Sequence, residues 1–180
     1  MTTTPVQELT VGTTGEPRTF GPLTRAMFVR YAGASGDFNP IHYDEEYARG
    51  AGFPSVFSQG MHQAALLSTY ATDWLGAENV RRFHVRFREQ VWPGDVLTCE
   101  GRVIGVRPQT ADGTLVTVEL TCTRQTGGVA IAGSADFLVG GCEASGGRFP
   151  SALAPGLPPA PGGSCSPSTR RSAEFPASGP

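Results

Sequence analysis

The stretch GMHQAALLSTYATDWLG, residues 60–76, is the most regular helical pattern in the chain. Glycines bound it at both ends, and small or apolar residues recur along it at helical spacing: Met61, Ala64, Ala65, Leu67, Ser68 and Ala71. Such a pattern predicts a helix that opens at Gly60 and closes near Trp74 and Gly76. Because small residues lie on most sides, we expect a sheet to wrap around this helix.

The period of the apolar pattern changes to two after Arg81. One side of the segment is apolar and the other basic, with Phe83, Val85, Phe87 and Val91 alternating with Arg82, His84, Arg86 and Arg88. This alternation is typical of a half-buried strand. Three more strands are predicted at residues 96–106, 114–125 and 129–139, separated by glycine-containing turns. A central helix followed by an antiparallel meander indicates an α+β fold.

A shorter helix is predicted upstream, over residues 24–34, with Thr24 as its N-cap. The next segment, residues 36–41, is expected to be irregular, because Pro40 disfavours the helical conformation at Asn39. Asp44 can then cap another short helical turn.

Composition excludes some classes of protein. The formal net charge is −2, only 17% of the residues are charged, and all 14 basic residues are arginine, so nothing indicates nucleic-acid binding. The four cysteines, Cys99, Cys122, Cys142 and Cys165, form no C-x-x-C pair of the kind that holds zinc. No stretch approaches the ~20 apolar residues of a membrane span. We therefore expect a soluble, cytoplasmic protein.

The apolar periodicity stops near the C-terminus. Residues 144–180 are rich in Pro, Gly, Ser and Ala, which predicts a disordered tail. Residues 1–143 are expected to form one domain.

Asp37 and His42 are the candidate catalytic groups. They lie five residues apart on a proline-stiffened irregular segment, so a carboxylate and an imidazole can converge on one small molecule such as water. The N–H of Gly60, at a helix start, can hold a developing negative charge on a carbonyl oxygen. Together these groups suit chemistry next to a thioester.

Other interpretations of these residues remain open. Asp37 and Asn39 are common turn formers, and Gly60 can simply permit a bend. A metal site of Asp37, His42 and Asp44 is conceivable, although the spacing is not that of a zinc site. Nucleophilic catalysis lacks support, because neither Ser58 nor Cys99 has an adjacent base or a G-x-S-x-G motif.

The run Gly36-Asp-Phe-Asn-Pro-Ile-His42 resembles the hydratase motif of MaoC-like and (R)-specific enoyl-CoA hydratases. The longer stretch to Gly76 is similar to the catalytic subunit of actinobacterial (3R)-hydroxyacyl-ACP dehydratases, and the resemblance covers roughly residues 11–139. It implies a hot-dog fold, a homodimer or heterodimer, and a substrate linked to CoA or acyl carrier protein. It also implies syn addition of water to a trans-2-enoyl thioester, without a metal or redox cofactor.

Carried over by position, the resemblance assigns a role to individual residues. Asp37 and His42 would activate and position water, the Gly60 amide would bind the thioester oxygen, and Ser68 would support the pair by hydrogen bonding. The sequence departs from the family at Gln59 and His62, where the family often has His and an apolar residue, respectively. We also assign substrate binding to Asn39 and carrier binding to the basic side of the predicted strand: Arg82, Arg86 and Arg88.

Two rival functions share this fold. The chain could be a non-catalytic hot-dog subunit that binds acyl groups, but the intact Asp37 and His42 argue against that role. A hot-dog thioesterase generally places its carboxylate on the central helix, where this sequence offers only Asp73. Chain length, carrier, direction and dimer type stay open.

Overall fold

The computed structural model describes residues 9–109 and 113–140, all of which fall within the unit Met1–Ser145. The described residues contain three α-helices: α1, Arg25–Ser35; α2, Glu45–Gly50; and α3, Gly60–Leu75. Five strands accompany them: β1, Arg18–Phe20; β2, Val80–Phe87; β3, Leu97–Gln109; β4, Gly113–Arg124; and β5, Val129–Val139. The predicted tail, with its boundary at residues 143 and 144, lies outside the described residues.

The strands form one antiparallel sheet in the order β1-β3-β4-β5-β2. The predicted meander is therefore limited to β3, β4 and β5, whereas β2 pairs with β5 at the other side of the sheet. The physical reason is the β2–β3 connection, residues 88–96, which is too long for a tight hairpin and allows β2 to reach β5. Val91 lies in this connection rather than in a strand, and it is fully buried.

Helix α3 packs against β2, β3, β4 and β5. Its buried face includes Leu67, Tyr70 and Trp74, and the facing strands contribute small and β-branched side chains. The helix approaches the sheet closely at Gly101, where an added Cβ would lie 2.9 Å from the Trp74 ring. This close approach makes α3 a rigid support for the residues at its start.

Sequence patterns located the helices accurately. Thr24 caps α1 by accepting a hydrogen bond from the Met27 N–H, and Asp44 caps α2 by accepting from the Tyr47 N–H. In the described part of the chain, no helix is long and apolar enough to cross a membrane.

Candidate active site

The candidate acid/base segment begins where α1 ends. Gly36 caps α1 in the left-handed conformation, with φ 75°, and its N–H donates to the Ala32 carbonyl at 2.9 Å. The Ser35 hydroxyl donates to the Tyr31 carbonyl at 2.8 Å and accepts from the Asp37 N–H at 3.3 Å. A glycine accepts this backbone geometry without strain, so the chain turns sharply out of the helix and leaves Asp37 at the surface.

A single 3₁₀ turn, Pro40–His42, then takes the chain inward. The Asn39 carboxamide oxygen caps this turn by accepting from the Ile41 N–H at 3.2 Å. The Asn39 N–H donates in turn to Oδ1 of Asp37 at 3.4 Å. Polar side chains that bond to nearby backbone fix an irregular segment in one shape. Asp37 therefore stays exposed while His42 is buried.

His42 is held in a defined orientation. Its Nδ1 atom lies 2.8 Å from the Phe57 carbonyl oxygen, and its ring packs edge-on against the Phe57 ring. A carbonyl oxygen only accepts, so Nδ1 carries the proton and Nε2 of the neutral ring has a free lone pair. Nε2 lies 3.6 Å from Oδ2 of Asp37, whose side chain is 47% exposed. This distance is too long for a strong hydrogen bond, but both atoms can contact the same water or substrate oxygen.

The start of α3 is linked to this pair through Phe57, whose carbonyl contacts His42 three residues before Gly60. The Ser58 N–H donates to the Val91 carbonyl at 2.8 Å, and the buried Gln59 carboxamide donates to the Phe28 carbonyl at 3.2 Å. Gly60 is the first residue of α3, so its N–H has no acceptor within the helix. A Cβ at Gly60 would lie 3.1 Å from the Phe87 ring. Glycine thus lets the aromatic ring pack against the helix start.

A cavity of about 320 Å³ opens at this helix start. It is lined by Phe57, Ser58, Gly60, Gln63, Phe87, Arg88, Glu89 and Gln90. Phe57 connects the cavity to the acid/base pair, because its carbonyl binds His42 while the residue also lines the cavity. A slightly larger cavity, of about 360 Å³, is lined by Thr14, Glu100 and Glu119 among others and includes none of the predicted site residues.

Sequence reasoning missed a buried polar pair at the same place. The Ser58 hydroxyl lies 2.9 Å from Nδ1 of His62, and both residues are buried. The His62 ring stacks on Tyr31 with ring centres 5.0 Å apart, and burial lowers the pKa of His62. The i, i+4 spacing across the helix start was a signal that could have indicated this contact.

Some predicted site residues contact other groups than the acid/base pair. The Ser68 hydroxyl donates to the Ala65 carbonyl of its own helix at 2.9 Å. Asp44 caps α2, and within residues 9–109 and 113–140 no three His, Cys, Asp or Glu side chains cluster as metal ligands would. Asp73 is ion-paired with Arg18.

The three predicted carrier arginines are exposed: Arg82 and Arg86 lie on β2, and Arg88 lies just beyond its end. Two acidic residues that might have neutralised them have other partners, because Glu89 pairs with Arg124 at 3.5 Å and Glu119 with Arg102 at 3.5 Å. In the part of the chain that the structure describes, none of the three arginines forms an ion pair.

Comparison with known proteins gives a consistent result. The family described as "MaoC like domain" matches residues 6–125. The chain is 34% identical over 112 residues to an (R)-specific enoyl-CoA hydratase of Rhodospirillum rubrum, which covers 61% of this chain and 74% of that protein. It is 36% identical over 95 residues to a fatty acid synthase subunit beta of Aspergillus oryzae, covering 46% of this chain but only 4% of that large subunit.

The solved structures extend this likeness to the fold. The (R)-hydratase from A. caviae involved in PHA biosynthesis superposes with a TM-score of 0.66 at 26% identity, over 74% of this chain and 99% of that one. This likeness confirms the expected hot-dog fold.

Proposed function

Because the chain belongs to the MaoC-like domain family, we propose that it catalyses reversible hydration of a trans-2-enoyl thioester to the (R)-3-hydroxyacyl thioester. The observation that carries this proposal is the orientation of His42. Its Nδ1–H is tied to the Phe57 carbonyl, so the basic Nε2 faces Asp37 at 3.6 Å. The Gly60 N–H at the start of α3 supplies a donor for the thioester oxygen.

In the hydration direction, a water molecule bound between Asp37 and His42 loses a proton to Nε2 as its oxygen adds to C3 of the enoyl group. The electrons of the double bond move towards the thioester, and the Gly60 N–H stabilises the negative charge that develops on the carbonyl oxygen. The acid/base pair then returns a proton to C2. Both additions come from one face of the substrate, which accounts for a syn product.

The carrier and partners are part of the same proposal. The unpaired arginines Arg82, Arg86 and Arg88 suit either the phosphates of CoA or the acidic surface of an acyl carrier protein, and Asn39 and Ser68 support the substrate and the acid/base pair. We expect a homodimer, or a heterodimer with another hot-dog subunit. The A. oryzae match is to a fatty acid synthase subunit, which is consistent with a role in acyl metabolism.

The thioesterase alternative receives less support. Its required carboxylate on the central helix would be Asp73, whose charge is already neutralised by Arg18. A non-catalytic subunit would have no need for the oriented histidine.

One assay separates these functions. Purified protein is mixed with crotonyl-CoA and with longer enoyl-CoAs, and loss of the enoyl absorbance and release of free thiol are followed in parallel. The proposal predicts loss of absorbance without thiol release, and an (R)-3-hydroxybutyryl product on chiral analysis. Thiol release at the same rate would indicate a thioesterase, and no change in either signal across chain lengths would contradict the proposal.

A further inference from the structure

Gln63 is a buried polar residue whose carboxamide has no partner among the described residues. It is only 2% exposed, yet it lines the cavity at the start of α3. Within residues 9–109 and 113–140, its carboxamide forms no hydrogen bond. Gln59, the neighbouring buried glutamine, instead donates to the Phe28 carbonyl. The nitrogen and oxygen of Gln63 are not among the fully buried atoms that lack a partner, so they are open to the cavity, where a ligand group can pair with them.

The position of Gln63 relates it to the thioester site. It follows Gly60 by three residues on α3, so the two lie on the same helix face, with side-chain positions about 5–6 Å apart. The cavity that they share is also lined by Arg88, which has no ion pair in the described chain, and by Glu89, which is already paired with Arg124. Among the described residues, the groups of this wall without a partner include the Gly60 N–H, the Gln63 carboxamide and the Arg88 guanidinium, and Gln90 lies beside them.

We propose that Gln63 recognises the first amide of the phosphopantetheine arm, an inference that rests on the proposed function. In a CoA or carrier-protein thioester, this amide is separated from the thioester carbonyl by the sulfur and two methylene groups. That separation is comparable to the distance from Gly60 to Gln63 along the helix face. A carboxamide has both a donor and an acceptor, so it can pair with the N–H and the carbonyl of a secondary amide.

The consequence is selectivity for the carrier arm. A substrate without the amide offers no partner to the Gln63 carboxamide, which penalises its binding and turnover. Arg88 lies on the same wall, where it is suited to the phosphate end of the arm. Gln63 is thus a specificity-determining residue, and it takes no part in proton transfer.

The test compares two crotonyl thioesters. One carries N-acetylcysteamine, which retains the amide without phosphates, and the other carries an S-pentyl group of similar length without the amide. Wild-type protein should favour the amide thioester in kcat/KM, and Gln63→Met should reduce that preference by about tenfold while sparing the pentyl thioester. Gln63→Glu, which keeps an acceptor for the amide N–H, should retain part of the preference.

Two controls make the result decisive. Gln63→Met should leave the melting temperature unchanged, because the carboxamide has no protein partner to lose. Gln59→Met should lower the melting temperature and leave the ratio of the two kcat/KM values as in the wild type. The assignment would be overturned if Gln63→Met lowered kcat/KM equally for both thioesters. It would also be overturned if the loss in kcat/KM depended on a polar group on the acyl chain instead of on the amide.

Binding distinguishes failure of this inference from failure of the proposed function. The saturated butyryl thioesters of N-acetylcysteamine and pentanethiol are titrated calorimetrically with wild-type protein and Gln63→Met. Suppose that wild-type protein binds the amide thioester more tightly and Gln63→Met loses this difference, but no enoyl thioester is hydrated. That result would contradict the proposed function and leave the role of Gln63 intact. Binding that is independent of the amide would overturn the role of Gln63, whatever the activity.

Discussion

The imidazole Nδ1 of His42 lies 2.8 Å from the carbonyl oxygen of Phe57, three residues before Gly60, the first residue of α3. The short segment of residues 57–60 therefore fixes both the tautomer of His42 and the position of the Gly60 N–H. This relationship links the acid/base pair to the helix start, although the two are far apart in the sequence. It also explains why backbone shifts at Phe57 to Gly60 should affect turnover more than folding.

Gly60→Ala should lower kcat/KM by roughly tenfold. The added Cβ would lie 3.1 Å from the Phe87 ring, so either the ring or the helix start must shift by a few tenths of an ångström. Combining Gly60→Ala with Phe87→Leu should recover much of the loss, because the smaller side chain makes room. Steady-state kinetics of both variants check this, and a Gly60→Ala enzyme with wild-type kcat/KM would argue against a precisely placed N–H.

The fold could be predicted largely from local signals. The period-two pattern located β2, and glycine-bounded helical spacing located α3 to within one residue of its end. The pairing of β2 with β5 and the three-residue strand β1 could not be predicted, because both depend on tertiary contacts rather than on local pattern. Asp37, His42 and Gly60 could be chosen as candidates because turn-forming residues surround the pair and Gly60 opens a helix, and their catalytic roles stay predictions.

Buried His62 should make stability depend on pH. Burial lowers its pKa below the ordinary value of 6.5, so the folded protein favours the neutral ring. The stability that this group contributes is present above the ordinary pKa and is lost as the pH falls through the lowered value. The facing groups are Ser58 and the Tyr31 and Phe28 rings, none of which is an acid that would counteract this.

The urea midpoint of wild-type protein should therefore fall between about pH 7.5 and pH 5, and His62→Gln should reduce that fall. His84 is exposed on β2 and provides the matched control, because His84→Gln should leave the fall unchanged. A wild-type curve that is flat over this range would refute the expected role of His62.

The buried carboxylate of Asp95 should stabilise the fold at neutral pH. Burial alone would raise its pKa, but hydrogen bonds from the Arg124 guanidinium, the Trp92 N–H and the Gln125 carboxamide outweigh that effect and lower it. This stability is fully present above the ordinary pKa of 3.8 and is lost as the pH falls through the lowered value.

Asp95→Asn should lower the free energy of unfolding at pH 7 by about 3 kcal/mol, because it leaves Arg124 without its closest partner. The difference from wild type should shrink in acid. The exposed pair of Arg102 and Glu119 serves for comparison, because Glu119→Gln should change stability by less than about 1 kcal/mol. Equal effects of the two substitutions at pH 7 would contradict this account.

The arginines near β2 should act on the carrier rather than on the chemistry. Arg86→Glu should raise KM for the carrier-linked substrate while sparing kcat, and added salt should have the same effect on wild-type protein. Arg107, exposed on β3, is the control, because Arg107→Glu should leave KM unchanged. If KM were insensitive to salt and to charge reversal at Arg82, Arg86 and Arg88, these arginines would have no role in binding the carrier.

The buried contacts of the site were harder to predict. The spacing of Ser58 and His62 indicates a contact but not its burial, and the burial of Gln63 cannot be recognised from residue type, because polar residues on a helix are usually solvated. Their burial depends on how α1 and the β2–β3 connection cover the start of α3. Ser68 was predicted from the sequence to support the acid/base pair. Its hydroxyl instead bonds to the Ala65 carbonyl of its own helix, so that role stays a prediction.

The central claim is tested most directly by the hydration rate of crotonyl-CoA in Asp37→Asn and His42→Ala, measured beside Asp44→Asn. Asp44 caps α2, and asparagine can keep that cap, so this control should retain turnover. The account predicts that kcat falls at least about 10²-fold in each of the first two variants, with melting temperatures that show an intact fold. Unchanged turnover in either Asp37→Asn or His42→Ala would contradict it.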